Sequence, residues 1–184
     1  MEAVPDTNTQ FGSVIEICRD VFLKKMKDYG TAWRILRAPS ITDQIFIKAR
    51  RIRSIDEQGV SKVNEGIKPE FIGIINYSVI ALIQIQLGTE ENLNLDPPEG
   101  RELYDKYIYA ARDLMLNKNH DYGEAWRDMR LSSLTDIILM KLMRIKQIED
   151  NQGKTFVSEN VDANYFDIIN YAIFALIKME YENS

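Results

Sequence analysis

The sequence predicts an all-α fold: a helical bundle of two tandem three-helix repeats, packed with pseudo-twofold symmetry. Three observations carry that expectation. First, the segment from Lys25 to Ile55 returns from Lys118 to Ile148 at a constant offset of 93 residues, without a gap. Over Asp28 to Ile55 roughly half the positions are identical, many of them polar. A period this long marks a duplicated subdomain rather than a short solenoid unit. Second, apolar residues recur at spacings of three and four. Third, no sustained run alternates in the manner of a strand. Repeats of about 90 residues are marginal alone, so the two are expected to share one core. The division is residues 1–88, a linker at 89–98, and residues 99–184.

The elements follow in order. A first helix is expected over about residues 11–27, ending at Tyr29-Gly30 where glycine can take a left-handed stop. A short turn carries Ala32, Trp33 and Arg34. A second helix starts near Ser40, where Ser40 and Asp43 form a Ser-x-x-acid capping pattern, and runs to about Glu57. A third begins at Pro69, a favoured first helical residue, and stops at Gly88. The linker is polar and closed by Pro97 and Pro98. The plan then repeats over about residues 99–120, 135–150 and 162–180, with Ser133 and Asp136 as the second capping pair.

Composition narrows the functional classes. With 45% hydrophobic and 28% charged residues the profile is that of an ordinary globular domain. A net charge of −5 argues against general nucleic-acid binding but allows a local basic pocket. The single Cys18 excludes a disulfide framework or a cysteine-based zinc site, and fits a reduced, cytoplasmic setting. Residues 1–10 lack the basic start and apolar core of a signal peptide. Residues 71–88 hold no charge and are nearly long enough to span a bilayer, but Asn76, Gln84 and Gln86 interrupt them. The copy in the second repeat carries Asp167, so a bundle centre rather than a membrane span is expected.

The second helix holds the sharpest chemical clue. Ile45, Lys48, Ile52 and Ile55 fall on one inward seam, and the copy reads Ile138, Lys141, Ile145 and Ile148. A lysine therefore holds a seam position twice. Taking an ammonium out of water costs several kcal/mol unless it is paired. Either each lysine snorkels or meets a structural carboxylate, or it faces an anionic ligand in a pocket. Arg51 and Arg144, less than one turn further on, favour the ligand. Lys25 and Lys118 extend the first-helix seams and precede Asp-Tyr-Gly, then Ala-Trp-Arg with Arg34 and Arg127. Guanidinium groups fork onto phosphate oxygens, and Tyr29, Trp33, Tyr122 and Trp126 could stack on a base. The competing reading makes those rings core filling where helices meet.

Other repeated residues point the same way less directly. Asn76-Tyr77 and Asn170-Tyr171 recur on the third helices, with Asp167 one turn before Asn170. Asp167 and Asn170 could hold Lys141 or Lys48, or a hydrated magnesium ion. In the first copy that position is Gly73, leaving Glu70 as the nearest acid, so the two sites are expected to differ. His120, the only histidine, replaces a lysine and is expected at the surface. Glu99, Glu102 and Asp105 open a helix, where acids suit the dipole, and are not read as a metal site.

In the combination DYGxAWR, TDxIxxKxxRI and INYxxxAL, the chain resembles the nucleotide modification associated domain family, as two tandem copies covering nearly its whole length. The resemblance rests on Lys25, Asp28, Tyr29, Gly30, Lys48, Arg51, Asn76 and Tyr77, and on Lys118, Asp121, Tyr122, Gly123, Lys141, Arg144, Asn170 and Tyr171. It implies a link to the all-α, MazG-like nucleoside triphosphate pyrophosphatases, which hold magnesium with acids from two helices. The Glu-x-x-Glu pattern of that group is missing: Lys48 and Arg51, or Lys141 and Arg144, stand there instead. Ile47 and Met140 stand where family members often carry an aspartate.

The leading expectation is thus a cytoplasmic nucleotide-handling protein serving nucleotide modification or pool control, binding a nucleotide or another phosphorylated small molecule. Lys48, Arg51, Lys141, Arg144, Lys25, Lys118, Arg34 and Arg127 are the phosphate candidates. Asn76, Tyr77, Tyr171 and Glu70 complete a polar pocket, with Asp167 and Asn170 positioning water or magnesium if hydrolysis occurs. The resemblance implies that such a protein could act as a MazG-like nucleoside triphosphate pyrophosphatase, and two alternatives stand beside that hydrolase: a catalytically inactive nucleotide-binding or sensory module, and a structural or interaction protein whose repeats form a buried polar network. A further homodimer is left open.

Overall fold

A computed structural model describes residues 6–58, 63–89, 93–156 and 160–182. Among them there are six α-helices and no strand: α1 (Thr7–Tyr29), α2 (Ala38–Glu57), α3 (Val63–Leu87), α4 (Pro97–Tyr122), α5 (Leu131–Asp150) and α6 (Val161–Tyr181). Short 3₁₀ turns at Ala32–Ile35 and Ala125–Asp128 follow α1 and α4.

Helix starts are where the expectations needed correction. α1 opens on Asp6, whose carboxylate accepts the Thr9 amide at 2.8 Å. That hydrogen bond holds the Asp6 carboxyl below its usual range. α2 opens with Arg37 as N-cap and Pro39 in its first turn, ahead of the expected Ser40 cap. The proline, preset to helical φ, moves the start upstream. Pro97 and Pro98 likewise begin α4 rather than close the linker. Pro69, expected to open α3, lies inside it, at the cost of one backbone hydrogen bond. At the C-terminus of α1 the reading holds in part. Gly30 has φ 61 and ψ −143, a positive φ that favours glycine but not the left-handed helical well, and its amide reaches Met26 O at 2.8 Å. Gly123 repeats this at φ 66.

The capping aspartates do other work. Asp43 pairs with Lys146 at 3.2 Å and Asp136 with Arg53 at 3.9 Å, across the contact between α2 and α5. Asp43 and Asp136 are copies of one another, as are Arg53 and Lys146, so the two ion pairs are reciprocal. Equivalent helices meet throughout: α3 on α6, α2 on α5 and α1 on α4.

One hydrophobic core runs through both repeats. Its centre is α3 and α6, with Ile74, Ile75, Val79 and Ile83 on one and Ile168, Ile169, Ile173 and Ile177 on the other fully buried. The stretch Gly66–Leu87 is long and apolar enough to cross a bilayer, but 67% of its apolar window is buried in this bundle. The linker is tied down where it is described: Thr31 Oγ1 donates to Leu93 O at 3.2 Å and accepts the Leu95 amide at 3.1 Å. That contact holds the linker beside the turn that carries Trp33.

Candidate ligand site

Lys48 projects from the inward seam of α2, between the buried Ile45 and Ile52. Its side chain is 26% exposed and crosses Gly73 on α3, with Cδ and Cε 2.9 Å from where a Cβ would stand. Glycine is what lets that stem lie against the α3 backbone. The ammonium is 3.7 Å from Glu70 Oε2 and 5.8 Å from the ring centre of Tyr77. Glu70 is shared, since its other oxygen accepts from Arg51 at 2.7 Å. One carboxylate thus faces two cations.

A cavity of about 830 Å³ opens beside this group. Lys25 from α1, with no carboxylate partner among the described residues, stands on its wall with Lys48, Gly73 and Glu70. The rest of the wall is mainly apolar and aromatic, including Phe22, Met26, Trp33, Leu36, Tyr77 and Ile80. Such a cleft, mostly apolar with a few charged groups, suits a ligand having an anionic head and an aromatic or apolar body.

The second repeat treats the same positions differently. Asp167 replaces Gly73, and its two oxygens take both lysines: Lys118 at 2.8 Å and Lys141 at 2.9 Å. Lys141 is accordingly drawn deeper than Lys48, to 12% exposure. Phe174 stands where the first repeat has Ile80, and Trp126 stacks on it at 4.2 Å with planes 4° apart. Trp126 is buried, whereas Trp33 is half-buried at the cavity wall.

The remaining candidates divide clearly. Arg34 is 2% exposed, donating to Gln84 Oε1 and to Gly88 O at 2.8 Å, while the Gln84 amide returns to the carbonyls of Arg34 and Leu36. It clasps the turn to the end of α3. Arg127 lies over Trp126 and binds Glu124, Glu182, Thr7 and Gln10, tying its turn to α1 and α6. Asn76 bridges helices, donating to Cys18 O at 3.0 Å and accepting from Tyr104 at 2.7 Å. Asn170 donates to Ala111 O at 3.1 Å, but its carbonyl oxygen is buried without a partner. Tyr29 and Tyr122 are 72% and 79% exposed, with Tyr29 on the cavity rim. Tyr171 packs edge-on to Phe174 at 6.2 Å. Arg144 lies on an outer groove of α5 with Met140 and Phe156. His120 is exposed beside Asp121, and Asp105 pairs with Arg19 at 2.7 Å.

The chemistry available is that of holding an anion. The residues lining the cavity include no histidine or cysteine. Burial pushes the Cys18 thiol up to about 12, so it is protonated and inert. Among the described residues, no three of His, Cys, Asp or Glu gather where a metal could be held. Glu70 and Asp167 each already face two cations, an arrangement that opposes a divalent ion. These residues do not fit magnesium.

The profile of nucleotide modification associated domain 1 matches residues 25–85 and again 118–179, together more than half of the chain. The chain belongs to that family. Neither the curated proteins nor the solved structures compared with it include a significant match. Each matched segment contains one copy of the lysine pair and its third-helix partner, so the comparison between copies lies inside the family domain itself.

Two parts of this family domain escape a reading of motifs. Gln84, the clasp on Arg34, is replaced by Lys178, which instead donates to Arg127 O and Glu182 at 2.6 Å. Ile80 lines the cavity whereas Phe174 stacks on Trp126, and a difference between copies was the available signal. Shared residues attract notice in a duplicated chain, but here the unshared ones separate the two sites.

Proposed function

We propose that this chain is a nucleotide-binding module in which the first repeat takes the ligand and the second is closed by its own side chains. The two repeats pack about a pseudo-twofold axis, in the manner of the MazG-like bundles to which the family resemblance implies a link. The observation that carries this reading is the first-repeat cavity, whose lining brings Lys25 and Lys48 together with the rings of Trp33 and Tyr77. Lysine ammonium groups meet phosphate oxygens, and rings offer faces for a base. The family name adds nucleotide chemistry as the setting.

Binding without hydrolysis fits better than the pyrophosphatase reading. Water attack on a phosphoryl group needs its charge balanced, ordinarily by magnesium held on carboxylates, and Glu70 and Asp167 are engaged by lysine and arginine. The buried, free Cys18 suits a reducing, cytoplasmic setting. The purified protein is to be mixed with nucleoside mono-, di- and triphosphates, with magnesium or with chelator, while melting temperature and phosphate release are followed. A melting shift without turnover, insensitive to chelator and lost in Lys48→Met, is expected. Turnover would restore the hydrolase, and no shift with any nucleotide would overturn the proposal.

A further inference from the structure

The second repeat contains an anion of its own. Asp167 sets one carboxylate between Lys118 and Lys141, at 2.8 and 2.9 Å. The first repeat keeps both lysines, as Lys25 and Lys48, and replaces the aspartate with Gly73. All three line the open cavity. Deleting that carboxylate while keeping both lysines on the wall of an open cavity, with the Lys48 stem lying over Gly73, leaves cations that an anion brought from outside can meet.

We infer that the ligand's charged group occupies in the first repeat the place that the Asp167 carboxylate fills in the second, and that this group is a single phosphate monoester, making the ligand a nucleoside monophosphate. The inference rests on the nucleotide-binding reading and specifies its ligand class. A phosphate monoester carries close to two negative charges at neutral pH, which the two ammonium groups match. A triphosphate would bring more charge than the cavity's cations offer. Its additional phosphates would also meet the charge of Glu70, which lines the cavity 3.7 Å from the Lys48 ammonium. Phe22, Met26, Trp33, Leu36, Tyr77 and Ile80 remain for the base and sugar. Gly73 becomes the residue that decides whether a repeat binds. A Cβ there would have the flexible Lys48 side chain as its nearest neighbour, with Cδ and Cε at 2.9 Å and Nζ at 3.3 Å, and Lys141 accommodates an aspartate at this position in the second repeat.

The test uses the intact chain and calorimetry at fixed salt, with nucleoside monophosphates, the matching triphosphates and the unphosphorylated nucleosides. The wild type is expected to bind at least one monophosphate at least about tenfold more tightly than its triphosphate or nucleoside. Gly73→Asp supplies the internal anion and is expected to lose at least about tenfold in that affinity, since charge-assisted contacts are removed. Gly73→Asn, similar in size but uncharged, is expected to retain more affinity than Gly73→Asp. Triphosphates binding as well as monophosphates would overturn this inference while leaving nucleotide binding intact. So would nucleosides binding equally well, or equal losses in the two Gly73 variants. Binding of no nucleotide at all would remove both proposals together. The wild-type comparison needs no variant, so misfolding of a Gly73 variant leaves the inference open to refutation.

Discussion

The two repeats share their lysines and tryptophan but surround them differently. Both carry the seam lysine, the first-helix lysine, the tryptophan of the 3₁₀ turn and the asparagine of the third helix. In the second repeat Asp167 holds both lysines and Phe174 covers Trp126. In the first, Gly73 and Ile80 withhold that carboxylate and that ring, and a cavity of about 830 Å³ results. A buried cation can be retained for stability or for a ligand. The same lysine pair, held by one carboxylate in the second repeat and facing a cavity in the first, separates those two uses within one molecule.

The largest expected contrast is in the tryptophans. Trp126→Ala removes a buried ring stacked on Phe174 and should cost about 3–5 kcal/mol in chemical denaturation. Trp33→Ala, at a cavity wall, should cost about 1–2 kcal/mol while weakening ligand binding. Equal costs would mean that the first repeat is as closely packed as the second.

Next come the lysines. Lys141→Ala leaves Asp167 with Lys118 alone and should cost about 1–2 kcal/mol, below the figure for a fully buried pair because Asp167 is partly exposed. Lys48→Ala leaves Glu70 held by Arg51 and should change stability by less than about 0.5 kcal/mol. The reverse order, read from denaturation midpoints, would assign the structural role to the first repeat.

A third contrast concerns the asparagines. Tyr104 donates to Asn76, whereas Phe11 occupies the equivalent place and leaves the Asn170 carbonyl oxygen without a partner. Phe11→Tyr should supply that donor and add about 1 kcal/mol. Tyr104→Phe should remove its counterpart and cost about 1–2 kcal/mol. A destabilising Phe11→Tyr would show that the reciprocal packing stops short of this position.

The smallest expected effect is a pH dependence at the contact of α2, α5 and α6. Glu149 accepts from Thr42 at 2.7 Å, and Tyr165 lies 2.8 Å from the same hydroxyl. Burial raises the Glu149 carboxyl above its ordinary value of 4.5, outweighing the Thr42 hydrogen bond. The folded state therefore binds a proton more readily than the unfolded chain, and this group's contribution to stability falls as pH rises through that window. Glu149→Gln should accordingly melt higher than wild type at neutral pH, with the gain fading below about pH 4. A gain that persists in acid would point to packing rather than charge.

Much of this contrast could be read before any coordinates. The lysine seam placed Lys48 and Lys141 inward because isoleucines flank each at helical spacing. The exchange of Gly73 for Asp167 already marked the sites as unequal. The arginines were less legible. Arg34 and Arg127 follow the same Ala-Trp pair as candidate phosphate ligands, yet Gln84 and Glu182, distant in sequence, engage them. Ser40 and Asp43 match a capping pattern, but Pro39 starts the helix earlier and Lys146 takes the aspartate.

What the sequence by itself determined was the helical class, the duplication and the inward lysines, because periodicity and charge burial act over a few residues along one helix. Only the tertiary structure decided which lysines are already neutralised and which face an open cavity. That outcome depends on partners brought together from separate helices, Asp167 and Phe174 in one repeat and Gly73 and Ile80 in the other. Whether a cation is paired is a property of the space around it, and the chain acquires that space only when α1, α2 and α3, or α4, α5 and α6, have packed.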